Sequence, residues 1–300
     1  MQSAQTIGKL REITEKITGS YAAGFGVNYT KRDNLPRRSE IIAVTEHLLE
    51  LLFPGFDQRF RGEVDTEELV ELCFSELSSQ FCRVFHRNAE SDECGCEGTP
   101  KCEQSAVMLL EKIPEIREML EADVRAAYAG DPAAKSGDEI ILSYPGLKAI
   151  AVQRLAHVLF DAGIPLIPRM MTEYAHSVTG IDIHPGAHIG KGFFIDHGTG
   201  VVIGETAVLG ENVRIYQGVT LGAVSFPKDA CGALIKGRKR HPTVGNNVII
   251  YSGASVLGNI TIGDNSVIGG NVWLTESLPE GTKITAAMPE NRKKYNGADQ

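Results

Sequence analysis

Asp196 and His197 stand side by side in FFIDHGTGVVIG (193–204), an acid and an imidazole inside a run of aliphatics and glycines. Imidazole is the side chain whose proton affinity lies nearest neutrality, so it can take a proton from one reacting group and return it to another. Two readings of His197 follow: a general base, or an exposed and inert turn residue. A base also needs a partner on its other ring nitrogen to hold its orientation and tautomer. Asp196 is adjacent, but neighbours on a strand point to opposite faces. Asp182, in IDIHP, lies 15 residues earlier and is the better candidate if the chain there winds in regular coils. His184 and His188 also precede His197, a set that could instead bind a metal.

Other polar residues admit two readings each. Asp131 in GDPAA can cap a helix opening at Pro132 or contribute a carboxylate to a site. Glu205 in GETA can order a turn or reach a ligand. His241 in KRHP can cap a restarting element or face a site, with Arg240 beside it. Lys236, Arg238 and Lys239 form a basic run that is either solvated or anion-binding. Cys82, Cys94, Cys96 and Cys102 suit a metal by thiolate chemistry, yet their spacing lacks the usual C-x2-C pairs of zinc sites, and a polar surface loop is the other reading. Cys73 falls on a helical apolar face and Cys231 in a loop.

Two kinds of element must carry these residues. Residues 1–180 read as helical. Asp65 and Glu68 have capping-box spacing, and Leu69, Leu72, Cys73, Leu77 and Phe81 recur at helical intervals. A break is expected at Pro114, and another helix from Gly146 to about Ala162. From residue 181 the period becomes six: Ile183, Ile189, Ile195, Val201, Ala207, Val213 and Val219, then Val244, Ile250, Val256, Ile262, Ile268 and Leu274. Aliphatics every six residues with glycines between them mark a parallel β-helix of hexapeptide repeats. The step from Val219 to Val244 is not a multiple of six, so residues 225–243 are extruded as a loop. Long loops on regular scaffolds tend to serve function. Residues 181–285 thus form the β-helix and 286–300 a tail, in an α+β chain.

The chain has 300 residues, 42% hydrophobic and 23% charged, with a net charge of −8. That balance suits a soluble globular protein and argues against nucleic acid as the main partner. The N-terminus shows no signal-peptide core. The most apolar segment, AIAVQRLAHVLFDAGIPLIP, is interrupted by Arg154, His157 and Asp161 and does not read as a membrane span. A cytosolic protein with reduced cysteines is expected.

The motifs IDIHPGAHIGKGFFIDHGTGVVIGETAVLGENVRIYQGVTLG, RHPTVGNNVIIYSGASVLGNITIG and GDPAA, together covering about residues 131–275, resemble the serine O-acetyltransferase family. The resemblance implies a left-handed β-helix, although parallel crossovers are usually right-handed. It implies a homotrimer, paired through the helical part into a hexamer, and an acyltransferase that moves acetyl from acetyl-CoA to the L-serine hydroxyl, the first step of cysteine synthesis. It implies His197 as base with Asp182 orienting it. Arg240 and His241 would hold the amino-acid carboxylate at a neighbouring subunit's site, and Asp131 and Asp196 would face the ammonium. Glu205 would lie near the substrate. Ala223, Ser252, Gly253 and Gly270 would meet the pantetheine arm, with Lys236, Arg238 and Lys239 near its phosphates. L-cysteine, an isostere of serine, is expected to compete. His184 is implied to be structural, and no metal is expected.

Two departures accompany the resemblance. The extruded loop is longer than in compact members. The chain ends KKYNGADQ, whereas many members end in the isoleucine that docks into O-acetylserine sulfhydrylase, so that complex is not expected. A hexapeptide acetyltransferase acting on a sugar or another hydroxy acid is the alternative activity, and a silent or metal-binding scaffold the alternative class.

Overall fold

The computed structural model describes residues 4–21, 35–56, 65–86, 100–225, 228–229 and 231–287. Cys94, Cys96 and the end of the chain from residue 288 lie outside the described residues. Among the described residues eight helices come first: α1 (Ala4–Ser20), α2 (Arg38–Leu52), α3 (Thr66–Phe85), α4 (Pro100–Glu111), α5 (Ile113–Gly130), α6 (Gly137–Ser143), α7 (Pro145–Asp161) and α8 (Ile167–Thr179). Asp65 caps α3 by accepting from the amides of Glu67 and Glu68. The break expected at Pro114 falls just before it, and Pro114 sits in the first turn of α5, where its missing N–H costs nothing. Leu72 is exposed on α3, while Cys73, Leu77 and Phe81 are fully buried. Cys102 was expected in a polar loop. It lies instead on α4 with no exposed surface. Burial pushes the Cys73 thiol up to about 12. No helix among the described residues is long and apolar enough to cross a membrane.

Fourteen strands of two or three residues follow among the described residues, β1 to β14 in chain order. Strands β1 to β13 fall in turn on three parallel sheets, and β14 joins the third. The first sheet holds β1 (Asp182–Ile183), β4 (Val202–Ile203), β7 (Thr220–Gly222), β10 (Ser255–Leu257) and β13 (Trp273–Leu274). The second holds β2 (His188–Ile189), β5 (Val208–Leu209), β8 (Thr243–Val244) and β11 (Thr261–Ile262). The third holds β3 (Phe194–Ile195), β6 (Arg214–Ile215), β9 (Ile249–Ile250), β12 (Val267–Ile268) and β14 (Lys283–Ile284). Each strand turns one aliphatic inward, and the stacked rows form the core. Asn212, Asn247 and Asn265, all at φ between 56° and 59°, stack at one corner with amide-to-amide bonds of 3.2 Å.

The expected six-residue series changes row twice, once before β4 and again across the extrusion, where Val219 precedes its strand and Val244 lies within one. Asp182 pairs with Val202 and Phe194 with Arg214, twenty residues apart, whereas Val202 pairs with Thr220, eighteen apart. Two additional residues therefore sit in the first coil, between Ile195 and Val202. Val201, Ala207, Val213 and Val219 consequently belong to a second buried row, just ahead of the strand residues Ile203, Leu209, Ile215 and Leu221. Thr220 pairs with Ser255, 17 residues beyond the regular spacing, so the chain leaves the coil between β7 and β8.

Helix α7 lies against the first coil. It is buried nearly all round, as a helix must be when it packs on both sides. Gly146 passes so close that a Cβ would stand 2.5 Å from the Ile195 carbonyl oxygen. Gln153 donates to the Ala187 carbonyl at 2.7 Å, and Arg154 donates to the carbonyls of Ile189 at 3.0 Å and Gly190 at 2.9 Å. Asp123 of α5 receives two Arg154 N–H groups at 2.9 and 3.0 Å, and the Phe193 amide at 2.8 Å. Arg154, which interrupts the apolar segment, thus joins Gln153 in satisfying carbonyls at the open edge of the β-helix.

Candidate active site

The two additional residues of the first coil build the turn that carries His197. The backbone there is at φ 59°, not extended. The expectation that Asp196 and His197 point to opposite faces fails for that reason, since strand alternation does not apply in a turn. His197 Nδ1 lies 3.9 Å from Asp196 Oδ1, and the histidine is 73% exposed against 15% for the aspartate. Asp131 stands close by at the C-cap of α5. It does not cap a helix at Pro132: the next helix opens at Gly137 and is capped by Ser136. Asp131 accepts from the Ala133 amide at 2.8 Å and from the Tyr144 hydroxyl at 2.5 Å. The tyrosine's hydrogen bond holds the Asp131 carboxyl below its usual range, helped by the Ala133 amide and by the nearby His197. The same bond pushes the Tyr144 phenol up to about 12, so it remains a donor. Tyr144 was missed by sequence reading. The signal was the SYPG junction: Pro145 opens α7 and leaves Tyr144 at the N-cap, a position where its side chain makes no cap bond.

A second cluster gathers at another corner, after the strands of the first sheet. Arg240 pairs with Glu205 at 2.5 Å. Glu205 therefore holds an arginine, and that charge-assisted bond keeps its carboxyl low against the opposing effect of burial. His241 is 7% exposed. Its Nδ1 accepts from the Thr206 amide at 3.1 Å, which leaves the proton of the neutral ring on Nε2. Burial, then Arg240, bring its pKa down to about 4, so the ring is neutral at neutral pH. The ring lies on Gly204, where any Cβ would overlap it. His184 accepts from the Gly186 amide at 3.0 Å and stands edge-on to Phe160. Burial lowers its pKa as well. Asp182 lies 3.8 Å from Arg169. Within one chain, then, Asp182 faces Arg169 and His197 faces Asp196, and the expected Asp182–His197 pair does not form.

The candidate donor residues divide between the same corners. Ser252, Gly253 and Gly270 stack above the His197 turn, linked by the Asn271 amide donating to the Ser252 carbonyl at 2.9 Å. Ala223 opens the extruded loop at the other corner. Of the basic run, Lys236, Arg238 and Lys239 are all exposed as residues. Lys239 donates to the Thr206 carbonyl at 2.5 Å, and burial lowers its pKa. It fastens the loop and is committed to the backbone.

Residues 241–276 match the family model "Bacterial transferase hexapeptide (six repeats)". A plasmid-borne serine acetyltransferase of Synechococcus elongatus is 61% identical over 176 residues, 59% of this chain and 55% of that protein. The chain thus spans about half the length of that relative. A serine acetyltransferase of Helicobacter pylori is 48% identical over 52% of this chain and 86% of its own. The solved structure of serine acetyltransferase isoform 3 from Entamoeba histolytica, in complex with cysteine, is 38% identical and superposes with a TM-score of 0.71 over 96% of this chain and 95% of that one. The chain belongs to the serine acetyltransferase family.

Proposed function

We propose that this protein is a serine O-acetyltransferase: it moves acetyl from acetyl-CoA to the L-serine hydroxyl, giving O-acetyl-L-serine and CoA. One observation carries the reading. The polar residues divide into two half-sites on the two corners flanking the first sheet. Asp131, Tyr144, Asp196 and His197 form one half, and Asp182, Glu205, Arg240 and His241 the other. The face between them exposes Val202 and Trp273 at 37% and 72%, which suits cover by another copy. A closed ring of three copies of a left-handed β-helix would bring each half against its complement. The relative bound to cysteine supports an amino-acid ligand.

In such a site Asp131 and Asp196 grip the serine ammonium. Arg240 and the neutral Nε2–H of His241, from a second copy, grip its carboxylate. Asp182 of that copy orients His197. His197 takes the hydroxyl proton as the serine oxygen attacks the thioester carbonyl. Backbone N–H groups hold the oxyanion, and its collapse breaks the C–S bond. The CoA sulfur then takes the proton from His197. The donor's pantetheine runs between Ala223 on one side and Ser252, Gly253 and Gly270 on the other. Cysteine, with a thiol in place of the hydroxyl, competes for the same grips.

The test is CoA thiol release with L-serine, L-homoserine, L-threonine or a galactoside as acceptor, with added L-cysteine in a second series. Strong dependence on L-serine, relieved of cysteine inhibition by excess serine, is expected. Release with a galactoside alone would keep the base and overturn the paired ammonium and carboxylate grips.

A further inference from the structure

Away from both half-sites, α7 and the first coil meet around a cavity of about 610 Å³ whose lining includes Met108, Met119, His157, Asp161 and His188. His157 and Asp161 are one turn apart on α7, and His188 stands on β2. The three offer one imidazole nitrogen or carboxylate oxygen each, all within 4.8 Å of one another.

The hydrogen bonds determine which atom His157 presents. Its Nδ1 lies 2.8 Å from the Pro185 carbonyl oxygen. A carbonyl only accepts, so Nδ1 carries the proton and the neutral ring presents the Nε2 lone pair. That lone pair faces Asp161 Oδ2 at 3.4 Å. Two acceptors opposed in this way need a cation between them, a proton or a metal. Zinc bonds of about 2.0–2.1 Å in tetrahedral geometry put neighbouring ligand atoms about 3.4 Å apart, which is the separation found. The His188 ring stands edge-on to His157, centroids 4.6 Å apart at 84°, and closes a third side. A backbone carbonyl on the far nitrogen is the usual second partner of a metal-bound histidine. The basic groups nearby do not oppose a cation: Arg154 is held by Asp123, and Lys112 by Glu115 at 2.6 Å.

We propose that His157, Asp161 and His188 bind a divalent transition metal of the zinc type, with an open position toward the cavity. The ion joins α7 to β2 beside the Arg154 and Gln153 contacts and so fastens the helices to the first coil. The site departs from the expectation of no metal, and it does not depend on the acetyl-transfer reading.

The full chain, stripped with chelator, would be titrated with Co²⁺, whose visible absorption reports its coordination, and then with Zn²⁺ in competition. One Co²⁺ per chain, displaced by Zn²⁺, is expected. His188→Gln and Asp161→Asn, both at exposed side chains, should each weaken binding by at least about tenfold, while His197→Asn should bind as the parent does. Zn²⁺ should also raise the Tm of the parent and not of His188→Gln. Absence of saturable binding, binding unchanged in both ligand variants, or intense thiolate-to-cobalt absorption would each overturn the proposal. The last of these would point to the cysteines.

Discussion

His197 owes its reach to backbone conformation. At φ 59° its ring leaves the wall and is 73% exposed. Asp131 and Asp196 lie beside it, and the Tyr144 hydroxyl fixes one of them. Replacing His197 with Asn should lower kcat by roughly 10²–10⁴-fold, with the assembly intact by sedimentation. An unchanged rate would remove it from the mechanism. His241 makes a prediction of a different kind. The unfolded histidine titrates near 6.5, the folded one at about 4. The unfolded state therefore binds more protons between those values, so the contribution of neutral His241 is complete above pH 6.5 and is lost as pH falls toward 4. Thermal melts from pH 7 down to 4 should show the decline, and His241→Gln should flatten it. Identical pH profiles for the two proteins would contradict the assignment.

At the scale of elements, the Asp123–Arg154 pair joins α5, α7 and the first coil, with side chains 1% and 4% exposed. Asp123→Ala leaves a buried guanidinium uncompensated and should cost about 3–5 kcal/mol, read as a fall in Tm. Asp123→Ala combined with Arg154→Met should cost less than Asp123→Ala alone, because the stranded charge is gone. A larger loss in the double variant would mean that Arg154 acts mainly through the Ile189 and Gly190 carbonyls. Much of this was legible in the sequence. The six-residue period located the coils, the irregular step from Val219 to Val244 located the extrusion, and Asp65 located a helix start. The row change at residues 196–201 was not legible, because Val201 is as aliphatic as Ile203 and both are buried. Period alone cannot tell which of two buried rows carries the strand.

At the scale of the whole molecule, a site divided between copies has a direct test. His197→Asn and Arg240→Met chains, each inactive alone, would be mixed, unfolded and refolded together. If every site takes His197 from one chain and Arg240 from the next, an equal random mixture restores both halves at about a quarter of the interfaces. Activity near that fraction of the parent is expected. No recovery would mean that each site is built within one chain.

The sequence by itself determined the kinds of residue and the scaffold. A β-helix period, an extruded loop and the polar motifs are local facts, each carried by neighbouring residues. The partners were decided by tertiary structure alone. Tyr144 reaches Asp131 across 13 positions, Glu205 reaches Arg240 across 35, and His188 meets His157 only because α7 lies against the first coil. Asp182 and His197, so close in sequence, face different partners, because Asp182 lies in β1 beside Arg169 while His197 lies in the turn after β3 beside Asp196. Contacts between coils depend on register and on which helix seals the open edge, and neither quantity is written in any short stretch of residues.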